Sequence, residues 1–285
     1  MKPGSTRTIF LVHDGDGETF LYRNLAARTP YGIAVVGIEP RSIPGVPMAH
    51  VSIDEMAAFY VQAIRERQPH GPYLLGGMCA GGLIAYAMGV QLIRAGEKVD
   101  LVAILDAATP QAVKRSGQIT QDRTRRLHAM LESTQDLKMG SICRWAYISG
   151  VFVKKVFNVL RWEIGSRLMR AVTRLRFLVL KYVLLQGKTW PYWLPELSVR
   201  EIYTSAEACC QLESETNLKV LLVRATTGEG ADQPYRDIYS DDAFGWRNFA
   251  RQLEVVDVYG GHSSMLQEPY VESLANVLIH YAHID

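Results

Sequence analysis

A cysteine flanked by glycines is the residue of this sequence whose setting most directly suggests chemistry. Cys79 lies in the segment Gly77-Met-Cys-Ala-Gly81, between an apolar stretch that begins at Tyr73 and a run typical of a helix. Such a strand–turn–helix, here called the elbow, exposes its central side chain under strain, and the glycines let the backbones pass closely. The helix N-terminus directs free N–H groups toward that side chain. We therefore predict that Cys79 is a nucleophile, since a thiol placed there ionises readily.

A thiol nucleophile needs a base that handles its proton and a group that orients the base. Asp106 ends the strand that follows the elbow helix, and His262 lies in a Gly-Gly-His turn after the last predicted strand. The order Cys79, Asp106, His262 is the order nucleophile, acid, base of α/β-hydrolases. Asp232 is the alternative acid, because it lies in a glycine-rich loop after a later strand, where many α/β-hydrolases place theirs.

Catalysis of acyl transfer also requires hydrogen-bond donors for the oxyanion that develops on the attacked carbonyl. The N–H of Ala80, directly after the nucleophile, is the first predicted donor. The second is expected from the loop after the first strand, His13-Asp-Gly-Asp-Gly17, where we select Gly15. The sequence therefore predicts an oxyanion hole formed by Ala80 and Gly15.

Each of these residues also has a purely structural interpretation. Cys79 could be an inert thiol that packs at the start of a helix, His262 a packing histidine, and Asp106 a cap of the next segment. The glycines beside Cys79 and before His262 favour the catalytic interpretation. The other histidines are expected to be surface or packing residues: His13, His50, His70, His128, His280 and His283.

Length and charge limit the classes of protein to which the chain can belong. With 285 residues, 48% of them apolar, it can bury a sizeable core. The formal net charge is only +2, so no nucleic-acid partner is expected. Residues 107–215 contain 17 Lys and Arg against 9 Asp and Glu, which leaves 14 against 20 elsewhere. A basic insert in a mildly acidic body is therefore predicted.

The four cysteines indicate neither a disulfide framework nor a metal site. Cys209 and Cys210 are adjacent, and the sequence has no Cys-x-x-Cys pair of the kind that binds zinc. This usage fits a reducing cytoplasm, and the N-terminal residues lack the apolar core of a signal peptide. Apolar runs fall short of the ~18–20 residues of a spanning helix, so no membrane association is expected.

Strands and helices alternate over the first 106 residues, and then the pattern changes. Residues 107–215 show helical periodicity, for example around Leu127 and around Leu168. The alternation favours an α/β fold of the α/β-hydrolase type, a mostly parallel sheet with helices on both faces. Its core would comprise residues 1–106 and 216–285, and residues 107–215 would form a large helical lid over the carboxyl ends of the strands. Runs of mainly apolar residues predict strands at Thr8–Val12, Ile33–Ile38, the elbow strand from Tyr73, Val99–Asp106, Leu218–Arg224 and Leu253–Val258.

These features together resemble the type I thioesterase domains that end nonribosomal peptide and polyketide synthetases. The resemblance covers nearly the whole chain outside the predicted lid. The elbow alone would be shared with many esterases, whereas the combination of motifs is specific. The motifs are Ile9-Phe-Leu-Val-His13, Tyr22-Arg-Asn-Leu25, Gly71–Gly82, Val102-Ala-Ile-Leu-Asp106 and Gly260–Pro269.

The resemblance implies a reaction and a partner. An acyl or peptidyl chain would arrive as a thioester on the phosphopantetheine arm of a carrier-protein domain, and the thioesterase, expected to be a monomeric domain, would bind no cofactor of its own. Cys79 would take the acyl group, His262 would transfer protons and Asp106 would orient the imidazole. The chain would leave by macrocyclisation, oligomerisation or hydrolysis. In that family the acid commonly follows the strand after the elbow, which favours Asp106 over Asp232.

Cysteine departs from the family pattern, because the usual nucleophile is serine. A thioester on Cys79 stays activated, so we expect release by a poor or intramolecular nucleophile. Three other interpretations stay open. They are a stand-alone editing thioesterase that clears short acyl chains, a cysteine hydrolase resembling dienelactone hydrolase, and a non-catalytic module that binds acyl chains.

Overall fold

Parallel strands form the centre of the structure, a computed structural model that describes residues 7–115, 141–214 and 216–282. Within these residues one six-stranded sheet has the order β2-β1-β3-β4-β5-β6, and every neighbouring pair is parallel. The strands are β1 (Arg7–Val12), β2 (Ile33–Ile38), β3 (Tyr73–Met78), β4 (Val99–Leu105), β5 (Thr216–Ala225) and β6 (Ala250–Val258). The apolar runs predicted these strands to within a few residues. Strands β1, β3, β4 and β5 are mostly buried on both faces, whereas the edge strand β6 exposes Arg251, Gln252 and Glu254.

Helices alternate with the strands along the chain, which together with the parallel sheet confirms the predicted fold class. In chain order they are α1 (Arg23–Arg28), α2 (Ile53–Arg67), α3 (Ala80–Arg94), α4 (Ser141–Leu185), α5 (Val199–Glu207), α6 (Tyr235–Ile238) and α7 (Val271–Tyr281). Helix α2 packs against α3, and α1 packs against α7. Among the described residues, no helix is long and apolar enough to cross a membrane.

Capping side chains fix where two of these helices begin. Ser52 accepts a hydrogen bond from the Glu55 N–H at 3.2 Å at the start of α2, and the Glu55 side chain accepts the N–H of Val51 at 3.0 Å. Ser198 and Glu201 form a complete capping box at the start of α5. Each cap satisfies N–H groups that lack partners at a helix N-terminus, so α5 begins at a defined residue beside the site described below.

The contacts divide the chain into two units. The first comprises residues 1–114 and 179–285 and contains the sheet, and the second is Arg115–Leu178, which includes most of α4. Helix α4 bears out the helical periodicity around Leu168, whereas Leu127 lies outside the described residues. The predicted insertion, residues 107–215, thus contains the second unit together with α5, which belongs to the first.

Candidate active site

The elbow places Cys79 between β3 and α3 with a strained backbone. Its φ is 52° and its ψ is −117°, a conformation that non-glycine residues rarely adopt. A Cβ added at Gly77 would lie 2.3 Å from the carbonyl carbon of Gly81, and one added at Gly81 would lie 2.6 Å from the carbonyl oxygen of Val12. Both glycines are therefore required by the close approach of the backbones.

Asp106 and His262 meet at the same edge of the sheet. Asp106 follows β4 and is fully buried, and its Oδ2 accepts a hydrogen bond from Nδ1 of His262 at 2.8 Å. The same carboxylate accepts the backbone N–H of Tyr235 at 3.1 Å and that of Ala225 at 3.2 Å. These donors hold the carboxylate in one orientation, so it fixes the plane of the imidazole and leaves Nε2 for the thiol.

Asp232, the alternative acid, has a different set of partners. Its Oδ1 accepts the N–H groups of Ser263 at 2.6 Å and Ser264 at 3.0 Å, and its Oδ2 accepts the Ser264 hydroxyl at 2.6 Å. Its carbonyl oxygen accepts the N–H of His262 at 2.9 Å. Asp232 therefore holds the backbone of the histidine loop, while the carboxylate on the imidazole ring belongs to Asp106.

The pKa values of Cys79 and His262 move in opposite directions. Burial alone would raise the pKa of the Cys79 thiol, but hydrogen bonds and charge from His262, with hydrogen bonds from Tyr235 and the Ala80 N–H, hold it below its usual value. Burial would lower the pKa of His262, but hydrogen bonds to Asp106 and Cys79 raise it to about 9. Both shifts favour a thiolate–imidazolium pair near neutral pH.

The loop after β1 places Gly15 in the same cavity as Cys79. Asp14 organises this loop, because its Oδ1 accepts the N–H of Asp16 at 2.9 Å and that of Glu18 at 3.0 Å. Within the described residues, the N–H of Gly15 makes no hydrogen bond. Gly15, Cys79 and Ala80 all line one cavity. The two backbone donors expected from the sequence thus lie beside the thiol.

Buried hydrogen bonds of His13 and Tyr22 hold the start of this loop. His13 is fully buried, as a packing residue should be, and its Nε2 lies 2.8 Å from the hydroxyl of Tyr60. The hydroxyl of Tyr22 donates to the carbonyl oxygen of Val12 at 2.7 Å and accepts the N–H of Met78 at 2.9 Å. Tyr22 therefore links the end of β1 to the end of β3, directly before the loop and the elbow.

Tyr235, at the start of α6, contacts all three of the residues that sequence reasoning selected. Its hydroxyl lies 3.5 Å from the sulfur of Cys79, and its ring is stacked on that of His262, with centroids 4.5 Å apart and planes 8° apart. Its backbone N–H donates a hydrogen bond to the carboxylate of Asp106. Sequence reasoning missed Tyr235, because no motif marks it; the only signal is its place after the glycine-rich loop that follows β5.

A cavity of about 430 Å³ opens on the thiol, within the first unit. Helix α5 forms one wall, and its Arg200 pairs with Asp16 of the loop after β1, with Nε 2.8 Å from Oδ1. The lining includes small and apolar residues such as Ala108 and Pro110, together with charged and phenolic side chains, namely Lys114, Tyr203, Glu207, Tyr235 and Tyr239. Substrate groups entering it would thus meet polar side chains as well as apolar ring faces. Among the described residues, no cluster of His, Cys, Asp or Glu could hold a metal ion.

Part of the chain is similar in sequence to known proteins. Residues 7–142, which are 136 of the 285, match the sequence model of the thioesterase domain family. The chain is 37% identical over 111 residues to the non-reducing polyketide synthase pks27 of Aspergillus flavus, and 38% identical over 112 residues to the non-reducing polyketide synthase ntnG of a Nectria species. These matches cover 39% of this chain and only 5% and 6% of the two synthases.

Solved thioesterase domains share the fold. The covalent complex of the NocB thioesterase domain with a fluorophosphonate nocardicin G analog is 19% identical, with a TM-score of 0.58 over 99% of this chain and 96% of that chain. The four-domain nonribosomal peptide synthetase AB3403 gives 0.59 at 21% identity, over 99% of this chain and 20% of that chain. The thioesterase domain SrfTE, described in connection with cyclization of surfactin, gives 0.56 at 15% identity, over 100% and 95%. At these identities the likeness shows the fold alone.

Proposed function

We propose that this chain is a thioesterase domain that releases an acyl or peptidyl chain from a carrier protein through a covalent acyl-Cys79 intermediate. One observation carries the proposal: a strained elbow presents a thiol to an imidazole that is itself bonded to a buried carboxylate. The family match over residues 7–142 and the polyketide synthase relatives support the same substrate class.

The first half-reaction moves the acyl group from the phosphopantetheine sulfur to Cys79. The thiolate attacks the thioester carbonyl, and the N–H groups of Ala80 and Gly15 stabilise the oxyanion that forms. When the carbon–sulfur bond to the arm breaks, the imidazolium of His262 gives its proton to the departing thiolate. The products are a neutral phosphopantetheine thiol and an acyl-enzyme with a neutral imidazole.

The second half-reaction releases the chain. His262 takes a proton from water, or from a hydroxyl or amine of the chain itself, while that group attacks the acyl carbon. The bond to Cys79 then breaks and its electron pair returns to sulfur, which restores the thiolate–imidazolium pair. Asp106 keeps the imidazole in the tautomer that makes both transfers possible, because its carboxylate accepts Nδ1–H throughout.

A thiol nucleophile favours release by a group within the chain. Exchange of one thioester for another is nearly isoenergetic, so the acyl-enzyme keeps the reactivity of the substrate. A weak nucleophile held close by the chain then competes with water through its high effective concentration. We therefore propose macrocyclisation or oligomerisation as the main outcome, with hydrolysis as the alternative. No cofactor is required beyond the arm of the carrier protein.

Intact mass spectrometry after incubation with acyl-pantetheine thioesters tests the proposal. We expect an acyl adduct on the chain with long acyl or peptidyl substrates, no adduct on Cys79→Ala, and a persistent adduct on His262→Ala when it forms at all. Adducts with short acyl chains only would indicate an editing thioesterase. The absence of any adduct on the wild-type chain would overturn the catalytic proposal and favour a module that binds acyl chains.

A further inference from the structure

We propose that Tyr235 is a fourth catalytic residue, whose phenolic O–H donates a hydrogen bond to the sulfur of Cys79 both in the resting enzyme and as the sulfur leaves the acyl-enzyme. The inference deepens the proposed function and rests on it for the second of these roles. Tyr235 contacts Cys79, Asp106 and His262.

Tyr235 is held by contacts at both its backbone and its ring. Its N–H donates to Asp106 Oδ2 at 3.1 Å, which fixes the start of α6 against the end of β4. Its ring lies flat on the imidazole of His262 and also meets the ring of Phe244 edge-on, with centroids 6.3 Å apart. The ring therefore has little freedom, and its hydroxyl is directed to a point 3.5 Å from the thiol sulfur.

In this pair the phenol is the donor once the thiol has ionised. Burial, followed by the negative charge of Cys79, raises the pKa of Tyr235 far above its usual value, so the hydroxyl keeps its proton at any working pH. A thiolate has no proton to give and accepts hydrogen bonds. The contact therefore stabilises the charged form of Cys79 and adds to the effects of His262 and the Ala80 N–H.

The stacked ring serves the other half of the ion pair. An imidazolium that faces an aromatic ring within ~6 Å is attracted by the negative face of that ring. The parallel ring of Tyr235 is 4.5 Å away, and its face covers His262 on one side. One side chain thus stabilises the thiolate through its hydroxyl and the imidazolium through its ring face.

Release of the chain gives the hydroxyl a second use. As the bond between the attacking oxygen or nitrogen and the acyl carbon forms, the bond from that carbon to Cys79 breaks and its electron pair moves to sulfur. The Tyr235 hydroxyl is already directed at that atom, so it stabilises the departing thiolate without transferring a proton. His262 receives the one proton that the attacking group loses, and the step is balanced.

Other groups also act on the charge of Cys79, and the test must distinguish Tyr235 from them. Among the described residues, Arg200 on α5 and His262 are the cations whose pKa values the charge of Cys79 raises. The remaining groups are phenols, which stay neutral. They are Tyr22 beside the elbow, Tyr203 on α5, and Tyr239 just after α6. Tyr239 lines the same cavity, and its ring centroid is 5.2 Å from that of Tyr235, which makes it the matched control.

The test measures the rate of alkylation of Cys79 by iodoacetamide against pH, resolved by mass spectrometry of the peptide that contains Cys79. Tyr235→Phe keeps the ring and removes the hydroxyl. Loss of one hydrogen bond to a charged group should raise the apparent pKa of the thiol by about one unit, so alkylation well below that pKa slows about tenfold. Tyr239→Phe should leave the pKa at the wild-type value.

A thiol pKa in Tyr235→Phe equal to that of the wild type would overturn the proposal, as would an equal rise in Tyr239→Phe. Tyr235→Leu provides a second variant that lacks both hydroxyl and ring, and its thiol pKa should rise at least as far. Alkylation needs no thioester substrate. Failure of the proposed function would instead leave the pKa shift in place and abolish acyl adducts from thioesters, so the two failures are distinguishable.

Discussion

The carboxylate of Asp106 lies 2.8 Å from Nδ1 of His262, although 156 positions separate the two residues in the chain. The contact depends on the parallel sheet, since β4 and β6 both end at the edge where the elbow lies. Asp232 is close by and holds the backbone around His262 instead. Two nearby aspartates thus have separate tasks, one on the ring and one on the loop.

Exchange of each aspartate for asparagine separates these tasks. Asp106→Asn should lower kcat for thioester turnover by about 10²- to 10⁴-fold, because the amide lacks the charge that stabilises the imidazolium and its NH₂ group holds the imidazole in the wrong tautomer. Asp232→Asn should lower kcat far less, and reduce the free energy of unfolding by about 1–3 kcal/mol through its lost hydrogen bonds. Steady-state kinetics and urea unfolding measure both. Equal losses of kcat in the two variants would contradict the assignment of Asp106.

The opposite pKa shifts of Cys79 and His262 predict how stability depends on pH. His262, with its pKa raised to about 9, contributes stability that is complete below the unfolded pKa of about 6.5 and is lost as pH rises through 9. Cys79, with a lowered pKa, contributes stability that is complete above the unfolded pKa of about 8.5 and is lost as pH falls. Where the native thiol is ionised and the unfolded thiol is not, the two slopes oppose each other, because the native pair and the unfolded pair then each bind one proton.

When serine replaces Cys79, the pH dependence of stability that is due to His262 should be seen without the opposing contribution of the thiol. Relative to the wild type, the Cys79→Ser chain should lose at most about 1.4 kcal/mol of unfolding free energy per pH unit as pH rises from about 6.5 to 8.5. The hydrogen bond to Asp106 maintains part of the histidine shift in this variant. Urea unfolding across this range provides the measurement. Parallel pH profiles of the two proteins would show that no ion pair forms.

The glycines of the elbow should tolerate no side chain. Gly77→Ala places a methyl group 2.3 Å from backbone of the elbow helix, so we expect a loss of more than about 3 kcal/mol in the free energy of unfolding, or no folded protein. Gly165 in α4 is the control, because nothing lies within 4 Å of a Cβ added there. Gly165→Ala should be neutral or stabilise by up to about 1 kcal/mol. A folded Gly77→Ala chain of wild-type stability would contradict the described elbow geometry.

The sequence predicted those parts of the structure that follow from local pattern and sheet topology. Apolar runs located the strands, and residues at the ends of parallel strands had to meet at one edge, which brought Cys79, Asp106 and His262 together. The choice between Asp106 and Asp232 needed distances, because both follow strands. Tyr235 and Arg200 could not be predicted, since their positions depend on how a loop and a short helix return to the cavity, and no periodicity encodes that.

The hydrogen bonds of Tyr22 have a consequence for how such a domain can diversify. They join the ends of β1 and β3, so the two backbone donors beside the thiol are anchored to the buried sheet. The cavity wall formed by α5 comes from a separate stretch of chain, which meets the donor loop through the exposed pair between Arg200 and Asp16 and through Val199, which lies close to Gly17. Because exposed ion pairs contribute little stability, substitutions in that wall should leave the two backbone donors in place beside the thiol. Under the proposed function, the side chains that select the acyl chain can therefore change independently of the residues that break the thioester.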